Sequence, residues 1–478
     1  MEVISLRDIR SAGVLLPVTM LHGPFGIGTL GKEAMEFVGF LKKSGFSAWQ
    51  ILPVEHTGEC FSPYKCISAF AGEPMLIDPR GLFEMGLITD DDLLARMDGM
   101  VDYYVNYELV YEKQWKLLRK AYERLEDQPY LEFRPFWLDD YAQYMADKFC
   151  EDADFYKFVQ WLFDLQWRGL KSYANKLGIS MIGDMPIYVS EDSVEVWSNP
   201  ELFDMDAVGA GKPASFSAVG GAPPDYFNPL GQRWGNPVYN WELMKKDGYK
   251  WWTDRMRAAL ERYDVVRLDH FRGFESYWRI PFESADARLG KWVKGPGIEI
   301  FNAFEKNLGE NLPIIAEDLG DITEDVEKLL QQTGFRGMRV LQFGFHGDGR
   351  HLPHNFDENI IAYTGTHDNT TLLAWMLELE AHDREKALFY LGFNDDWTVG
   401  GPNSAINRAW IRALYMSRAS LVIVPIQDLL GYGGDTRTNT PGTIVNNWRF
   451  RILDGSLSQI DSGFYAELSK MFGRDNAL

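Results

Sequence analysis

Eight short apolar runs mark out the chain, at residues 13–21, 48–54, 179–189, 265–270, 312–319, 337–344, 360–368 and 421–430. Segments of helical period separate most of them, notably 30–43, 241–263, 323–332 and 403–419. Near-continuous apolar strands that alternate with helices imply a parallel sheet covered on both faces. Eight such units predict an α/β protein with a (β/α)8 TIM barrel, taken as a single catalytic domain over residues 1–478, whose reactive groups lie where strands end. Asp321-Ile322-Thr323-Glu324 reads as an Asp-x-x-Glu variant of the capping box ahead of the helix at 323–332.

Two intervals are too long for simple connections. Residues 89–178 keep a helical period, as in Tyr107, Val110, Tyr111, Trp115, Leu117 and Leu118, and predict a helical insertion after the second strand. Residues 190–240 are rich in Gly and Pro, yet Tyr226, Phe227, Trp234 and Tyr239 run through them, with Trp241 directly after, and these must pack on something. They are expected to form a loop-rich insertion covering the active-site cleft. No internal repeat or low-complexity tract stands out.

Three of the runs end in charge. Arg267, Asp269, His270 and Arg272 crowd the tip of the fourth, Glu317 and Asp318 the fifth, His367 and Asp368 the seventh. Ionisable groups at the mouth of an apolar strand are costly to desolvate unless they pair or work. A single Arg–Asp pair that ties down a loop is an ordinary structural device. The same pattern on three strands points instead to a site at one end of the barrel.

Composition narrows the partners. The net charge of -21 repels nucleic acid and anionic membranes, so neither is expected. The 16 Trp and 22 Tyr suit core packing and also flat platforms for sugar rings; their number alone does not separate the two. Three cysteines, Cys60, Cys66 and Cys150, make no disulfide framework or zinc spacing, and an odd count suits a reducing compartment. The start, Met1 to Arg7, lacks a basic region followed by an apolar core, and no apolar run approaches the roughly 20 residues of a membrane span. A cytoplasmic location is expected.

Glycosidic-bond exchange needs one carboxylate to attack the anomeric carbon and one carboxylic acid to protonate the leaving oxygen, about 5 Å apart in retaining enzymes. Tips of adjacent strands, about 4.8 Å apart, can hold such a pair. Asp269 and Glu317 occupy those tips. Arg267, two residues back on the same face, favours the ionised form of Asp269. Glu317 follows an apolar run and stands beside Asp318, so desolvation and a neighbouring negative charge are expected to keep its proton on. Asp368 is a third carboxylate, able to stabilise positive charge on an oxocarbenium-like transition state. His270 and His367 can donate to sugar hydroxyls.

With these residues in place the chain resembles the amylomaltase family, the 4-α-glucanotransferases or disproportionating enzymes. The likeness runs in order through Ser62-Pro63-Tyr64, Ser68-Ala69-Phe70-Ala71-Gly72, Gly183-Asp184, Pro186-Ile187-Tyr188-Val189, Gly221-Ala222-Pro223-Pro224-Asp225-Tyr226-Phe227 and Gly231-Gln232-Arg233-Trp234-Gly235-Asn236-Pro237. It continues through Arg267-Leu268-Asp269-His270-Phe271-Arg272-Gly273, Ala316-Glu317-Asp318-Leu319-Gly320, Thr364-Gly365-Thr366-His367-Asp368-Asn369 and Pro441-Gly442-Thr443. The resemblance implies Asp269 as nucleophile, Glu317 as acid/base and Asp368 as transition-state stabiliser. Arg267 and His367 resemble their immediate partners. Tyr64 resembles the platform under the donor sugar, Asp184 a hydroxyl ligand of that sugar and Asn439 a further sugar contact. Residues 225–236 resemble the segment that arches over the cleft, with Tyr226, Phe227, Gln232 and Trp234 toward the glucan. Lys65, Glu73 and Thr438 depart from the usual Gln, Asn and Met, which bears on chain-length preference rather than on the chemistry. Maltooligosaccharides and α-1,4-glucans are the implied substrates, with no cofactor and no metal. An α-amylase-like hydrolase is the nearest alternative, and a non-catalytic glucan-binding protein a more distant one.

Two further signals carry less. The glycines between Gly23 and Gly28 lack the Lys-Ser/Thr of a phosphate loop and the dinucleotide spacing. His351 and His354 flank Pro353 and do not form the helical metal pair.

Overall fold

Among the described residues twelve strands arise in chain order: β1 (Ser11–Leu15), β2 (Ala48–Gln50), β3 (Ser180–Met185), β4 (Ala218–Ala222), β5 (Gln232–Pro237), β6 (Val265–Leu268), β7 (Ser276–Pro281), β8 (Lys291–Lys294), β9 (Ile314–Ala316), β10 (Gly337–Val340), β11 (Ile360–Tyr363) and β12 (Leu421–Pro425). They belong to a computed structural model that describes residues 10–58, 60–205, 215–224, 228–345, 348–443 and 445–475. Eight of the strands pair in parallel in the order β10-β11-β12-β1-β2-β3-β6-β9. The two ends of this sheet meet: Ile315 bridges Arg336 in parallel, and the Ala316 N–H donates to the Arg336 carbonyl at 2.9 Å, just ahead of β10. The expected (β/α)8 barrel is therefore present.

Each barrel strand is shorter than the apolar run it overlaps. The chain stays largely buried after the strand ends, at Val18 and Met20 in the 3-10 turn Val18–Met20, at Leu341 and Gln342 in the 3-10 turn Leu341–Phe345, and throughout the short helix Ile426–Leu430. Burial, which sets the apolar pattern, does not distinguish a strand from an enclosed turn. The segment 241–263 also divides, into helices Trp241–Lys246 and Lys250–Arg262. Gly248 (φ +73°) and Tyr249 (φ +58°) between them are left-handed and cannot continue a right-handed helix.

The expected capping box is not formed. Helix Glu324–Thr333 starts with Thr323 at its N-cap and no side-chain cap bond. Asp321 belongs to Arg272 instead: its carboxylate lies 3.5 Å from the guanidinium, and its carbonyl accepts from the same group. Between β2 and β3 the chain forms, among other turns, helices Asp90–Met97, Tyr107–Glu123, Leu138–Phe149 and Ala153–Lys176.

A second sheet, antiparallel in the order β5-β4-β7-β8, was not expected. Two of its strands lie in the interval taken as loop on its Gly and Pro content. Gly220 and Gly221 are strand residues here because nothing larger fits: a Cβ on Gly221 would lie 2.1 Å from the Gln232 carbonyl, and one on Gly220 2.5 Å from the Tyr188 ring. The other two strands, β7 and β8, follow the turn after β6, and their cross-strand partners Trp278 and Trp292 pack at 5.1 Å.

Candidate active site

The ladder of β3, β6 and β9 runs one step beyond the strands. The Asp269 N–H donates to Met185 O at 3.0 Å, the Glu317 N–H to Leu268 O at 3.0 Å, and the Phe271 N–H to Glu317 O at 3.1 Å. Since Leu268 is opposite Ala316 in register, Asp269 and Glu317 extend neighbouring strand ends, which stand about 4.8 Å apart.

Arg267 is the hub. Buried, it places Nη1 2.7 Å from both oxygens of Asp184 and 3.0 Å from Asp269 Oδ1. Burial alone opposes its charge, but Asp184 and Asp269 hold the guanidinium proton well above its ordinary range. The Tyr64 hydroxyl donates to Asp184 Oδ2 at 2.8 Å. Asp184, the expected sugar ligand, has 0% of its side chain exposed, with both oxygens engaged.

Burial pushes the Glu317 carboxyl up to about 8. Arg267 pulls against this and Asp269 adds to it, while the N–H groups of Leu319 at 2.9 Å and His270 at 2.8 Å favour the charged form. The sequence reading credits Asp318 with part of this effect, and the structure corrects it. Asp318 turns to the other side of the strand, where it accepts from the Met338 N–H at 2.6 Å and from Arg339 at 2.8 Å. The neighbouring negative charge is Asp269.

His270 stands at φ +48°, a left-handed conformation uncommon without glycine. That turn directs its N–H at Glu317. Its Nε2 is buried without a hydrogen-bond partner among the described residues, and burial lowers its pKa to about 4, so the ring is neutral near pH 7. Trp234 meets it edge-on at 4.9 Å and donates its indole N–H to Gln232 Oε1 at 3.1 Å.

Asp368 follows β11 and is 45% exposed. Asn439 Nδ2 donates to its Oδ1 at 2.6 Å, and His367 Nε2 lies 3.4 Å from the same oxygen. Tyr64 stacks on His367 at 5.1 Å and 20°. Contacts thus run from Asp269 through Arg267, Asp184, Tyr64 and His367 to Asp368, and the structure brings these sequence-predicted residues together with Glu317. Asn439 is met here as the partner of Asp368. Tyr226 and Phe227 lie outside the described residues.

Two residues of the site were missed. Arg437 donates to the Asp368 carbonyl and, at 2.7 Å, to the Asn439 carbonyl. Trp448 packs against both Tyr64 and His367. Neither carries a local pattern that would single it out, because both act across long sequence separations. Of the three departures, Glu73 and Thr438 are buried and serve their own surroundings. Glu73 accepts from the Thr57 N–H at 2.8 Å and the Met75 N–H at 3.1 Å, and the Thr438 hydroxyl accepts from Gln427 at 3.0 Å. Lys65 is exposed. Among the described residues no group of three His, Cys, Asp or Glu could hold a metal ion. His351 accepts the Val340 N–H at 3.0 Å, and His354 lies 3.0 Å from the Tyr390 hydroxyl.

A parallel barrel that gathers carboxylates on adjoining strand ends, one of them pushed toward its protonated form, defines a barrel enzyme equipped for glycosidic-bond chemistry. Comparison with known proteins makes this specific. The family model described as 4-alpha-glucanotransferase matches residues 16–149 and 146–456. The 4-alpha-glucanotransferase of Clostridium butyricum is 38% identical, over 96% of this chain and 99% of that one. That of Aquifex aeolicus is 41% identical, over 98% and 100%. The structure of amylomaltase from Streptococcus agalactiae in complex with acarbose superposes with a TM-score of 0.91 at 37% identity, covering 98% of this chain and 100% of that one. The chain belongs to the 4-α-glucanotransferase family.

Proposed function

We propose that the chain transfers a segment of α-1,4-glucan from a donor maltooligosaccharide to the 4-hydroxyl of an acceptor glucan or glucose, with retention, in two displacements on this site. One observation carries the assignment of roles: Asp269 and Glu317 stand on in-register strand ends, Asp269 against Arg267 and Glu317 pushed to about 8. In the first step the Asp269 carboxylate attacks the anomeric carbon, and Glu317 gives its proton to the glycosidic oxygen as that bond breaks. In the second, the Glu317 carboxylate takes the proton of the acceptor hydroxyl, whose oxygen displaces Asp269. Asp368 faces the positive charge that develops between the two. Tyr64 and His367 receive the donor sugar, and His270, whose backbone N–H donates to Glu317, is the proposed partner of a sugar hydroxyl. Asp184 acts through Arg267 and Tyr64, and Asn439 through Asp368. The S. agalactiae relative is in complex with acarbose, which supports a ligand of that kind for this chain.

Incubation with maltotriose tests the function. Transfer should yield glucose together with a ladder of chains longer than three units; shorter products alone would mean hydrolysis. Gln232 and Trp234 on β5 would cover the acceptor and keep bulk water from the glycosyl-enzyme. Trp234→Ala is accordingly expected to raise hydrolysis relative to transfer, read as the ratio of reducing ends released to chains lengthened. An unchanged ratio would remove Trp234 from that role.

One catalytic domain is proposed, with residues 89–178 and 190–240 as insertions on the barrel. Nucleic acid is not proposed as a partner, on the charge of -21. No described helix is long and apolar enough to cross a membrane. A cytoplasmic location is proposed on the three free cysteines.

A further inference from the structure

Trp448 stands in a backbone conformation that its side chain disfavours. Its φ is +65°, in the left-handed region where a Cβ crowds the following carbonyl oxygen and bulky residues are rare. Two bonds hold it there. Its N–H donates to the Thr438 carbonyl at 2.7 Å, and its own carbonyl accepts from the Tyr107 hydroxyl at 2.8 Å. Tyr107 opens the helix Tyr107–Glu123 and is itself fixed, stacked on Phe61 at 4.8 Å and 9°. Trp448 is 9% exposed, and its ring lies 5.8 Å from the Tyr64 ring and 6.0 Å from that of His367. Thr438, which anchors the Trp448 N–H, sits between Arg437 and Asn439, the two residues that bind Asp368. Backbone strain persists only where the surroundings over-determine it, and such outliers gather at working sites.

We propose that Trp448 is a positioning residue for the transfer reaction. Latched by Tyr107 and Thr438, its ring sets the Tyr64–His367 stack in the orientation from which Tyr64 reaches Asp184 and His367 reaches Asp368. The proposal rests on the reading that Tyr64 and His367 receive the donor sugar. It assigns a role in catalysis to a contact between the helix after β2 and the C-terminal part of the chain, which touches no reacting atom.

The test is steady-state maltotriose kinetics on Trp448→Ala, Trp448→Phe, Tyr107→Phe and the double variant Tyr107→Phe/Trp448→Ala, each assayed below its own Tm. Trp448→Ala is expected to lower kcat by about ten- to a hundredfold with a smaller change in KM, the scale of a small misplacement of catalytic groups. Trp448→Phe, which keeps a ring in the same place, should recover most of that loss. Tyr107→Phe removes only the latching hydroxyl and should lower kcat severalfold. Because that hydroxyl acts through the ring, the double variant should be no slower than Trp448→Ala alone. An unchanged kcat in Trp448→Ala, even with a lower Tm, would overturn the proposal, as would losses in the double variant equal to the product of the single ones. If Trp448→Ala does not fold, an unchanged kcat in Tyr107→Phe overturns it. Failure of the transferase reading would look different: the unsubstituted chain would make no ladder from maltotriose.

Discussion

Asp269→Asn should reduce maltotriose disproportionation by about five to six orders of magnitude, the scale on which removal of a catalytic nucleophile is felt. The change is nearly isosteric. It leaves Arg267 on Asp184, and the barrel register does not depend on the side chain, so Tm is expected to move little. The informative companion is Asp269→Gly with α-maltosyl fluoride as donor and azide as external nucleophile. Azide in the vacated space would attack from the side that Asp269 occupied, expel fluoride and give the β-azide, an inverted product. Retained α-azide, or appreciable maltotriose turnover by Asp269→Asn, would take the nucleophile's role away from this residue.

Glu317→Gln should lower maltotriose turnover by about 10²- to 10⁴-fold, the usual worth of a positioned proton donor. Its signature differs from that of Asp269. Fluoride leaves without a proton, so cleavage of α-maltosyl fluoride should survive the substitution. Azide needs no base and should then restore turnover, with retained configuration. A second readout comes from pH. The Glu317 carboxyl titrates at about 8 in the folded chain against 4.5 in its ordinary state. Between these values the unfolded chain gives up a proton that the folded chain keeps. Its contribution to stability is therefore full below about 4.5 and is lost as pH rises through about 8. Glutamine has no proton to lose, so the Tm of Glu317→Gln should gain on that of the parent from pH 5 to pH 9. The alkaline limb of kcat/KM for the parent should fall near the same value. Equal Tm differences at both ends of that range would mean that the carboxyl is not protonated as described.

The sequence makes the barrel legible because its signal is repeated: Val265-Val266 and Ile360-Ile361 alike are buried strand starts that lead to charged tips. It also places Asp269, Glu317 and Asp368, whose chemistry is written at the ends of those runs. Three kinds of information are missing. Strand ends are blurred, since Val18, Leu341 and Ile426 are as buried in turns and helix as they would be in strands. Gly220 and Gly221 resemble loop residues, because the Tyr188 ring and the Gln232 carbonyl that exclude a side chain lie far away in sequence or on the partner strand. The direction of Asp318 depends on Arg339 and the Met338 N–H across the strand, which no local pattern announces. For the same reason Arg437 and Trp448 stay silent until the chain is folded.

The closure of the barrel has a mechanical consequence for Glu317. β9 is joined to β6 by a regular ladder, but to the β10 side by the Ile315–Arg336 bridge, one bond from Ala316 and the Asp318 carboxylate. The stave that ends in Glu317 thus has less backbone stitching on its β10 side than on its β6 side. In the proposed mechanism the oxygen that Glu317 serves changes between the two half-reactions, from that of a departing sugar to that of an arriving one. On that reading the lightly stitched seam falls beside the residue whose partner changes, while Asp269, braced by Arg267, ends the strand that is laddered on both flanks.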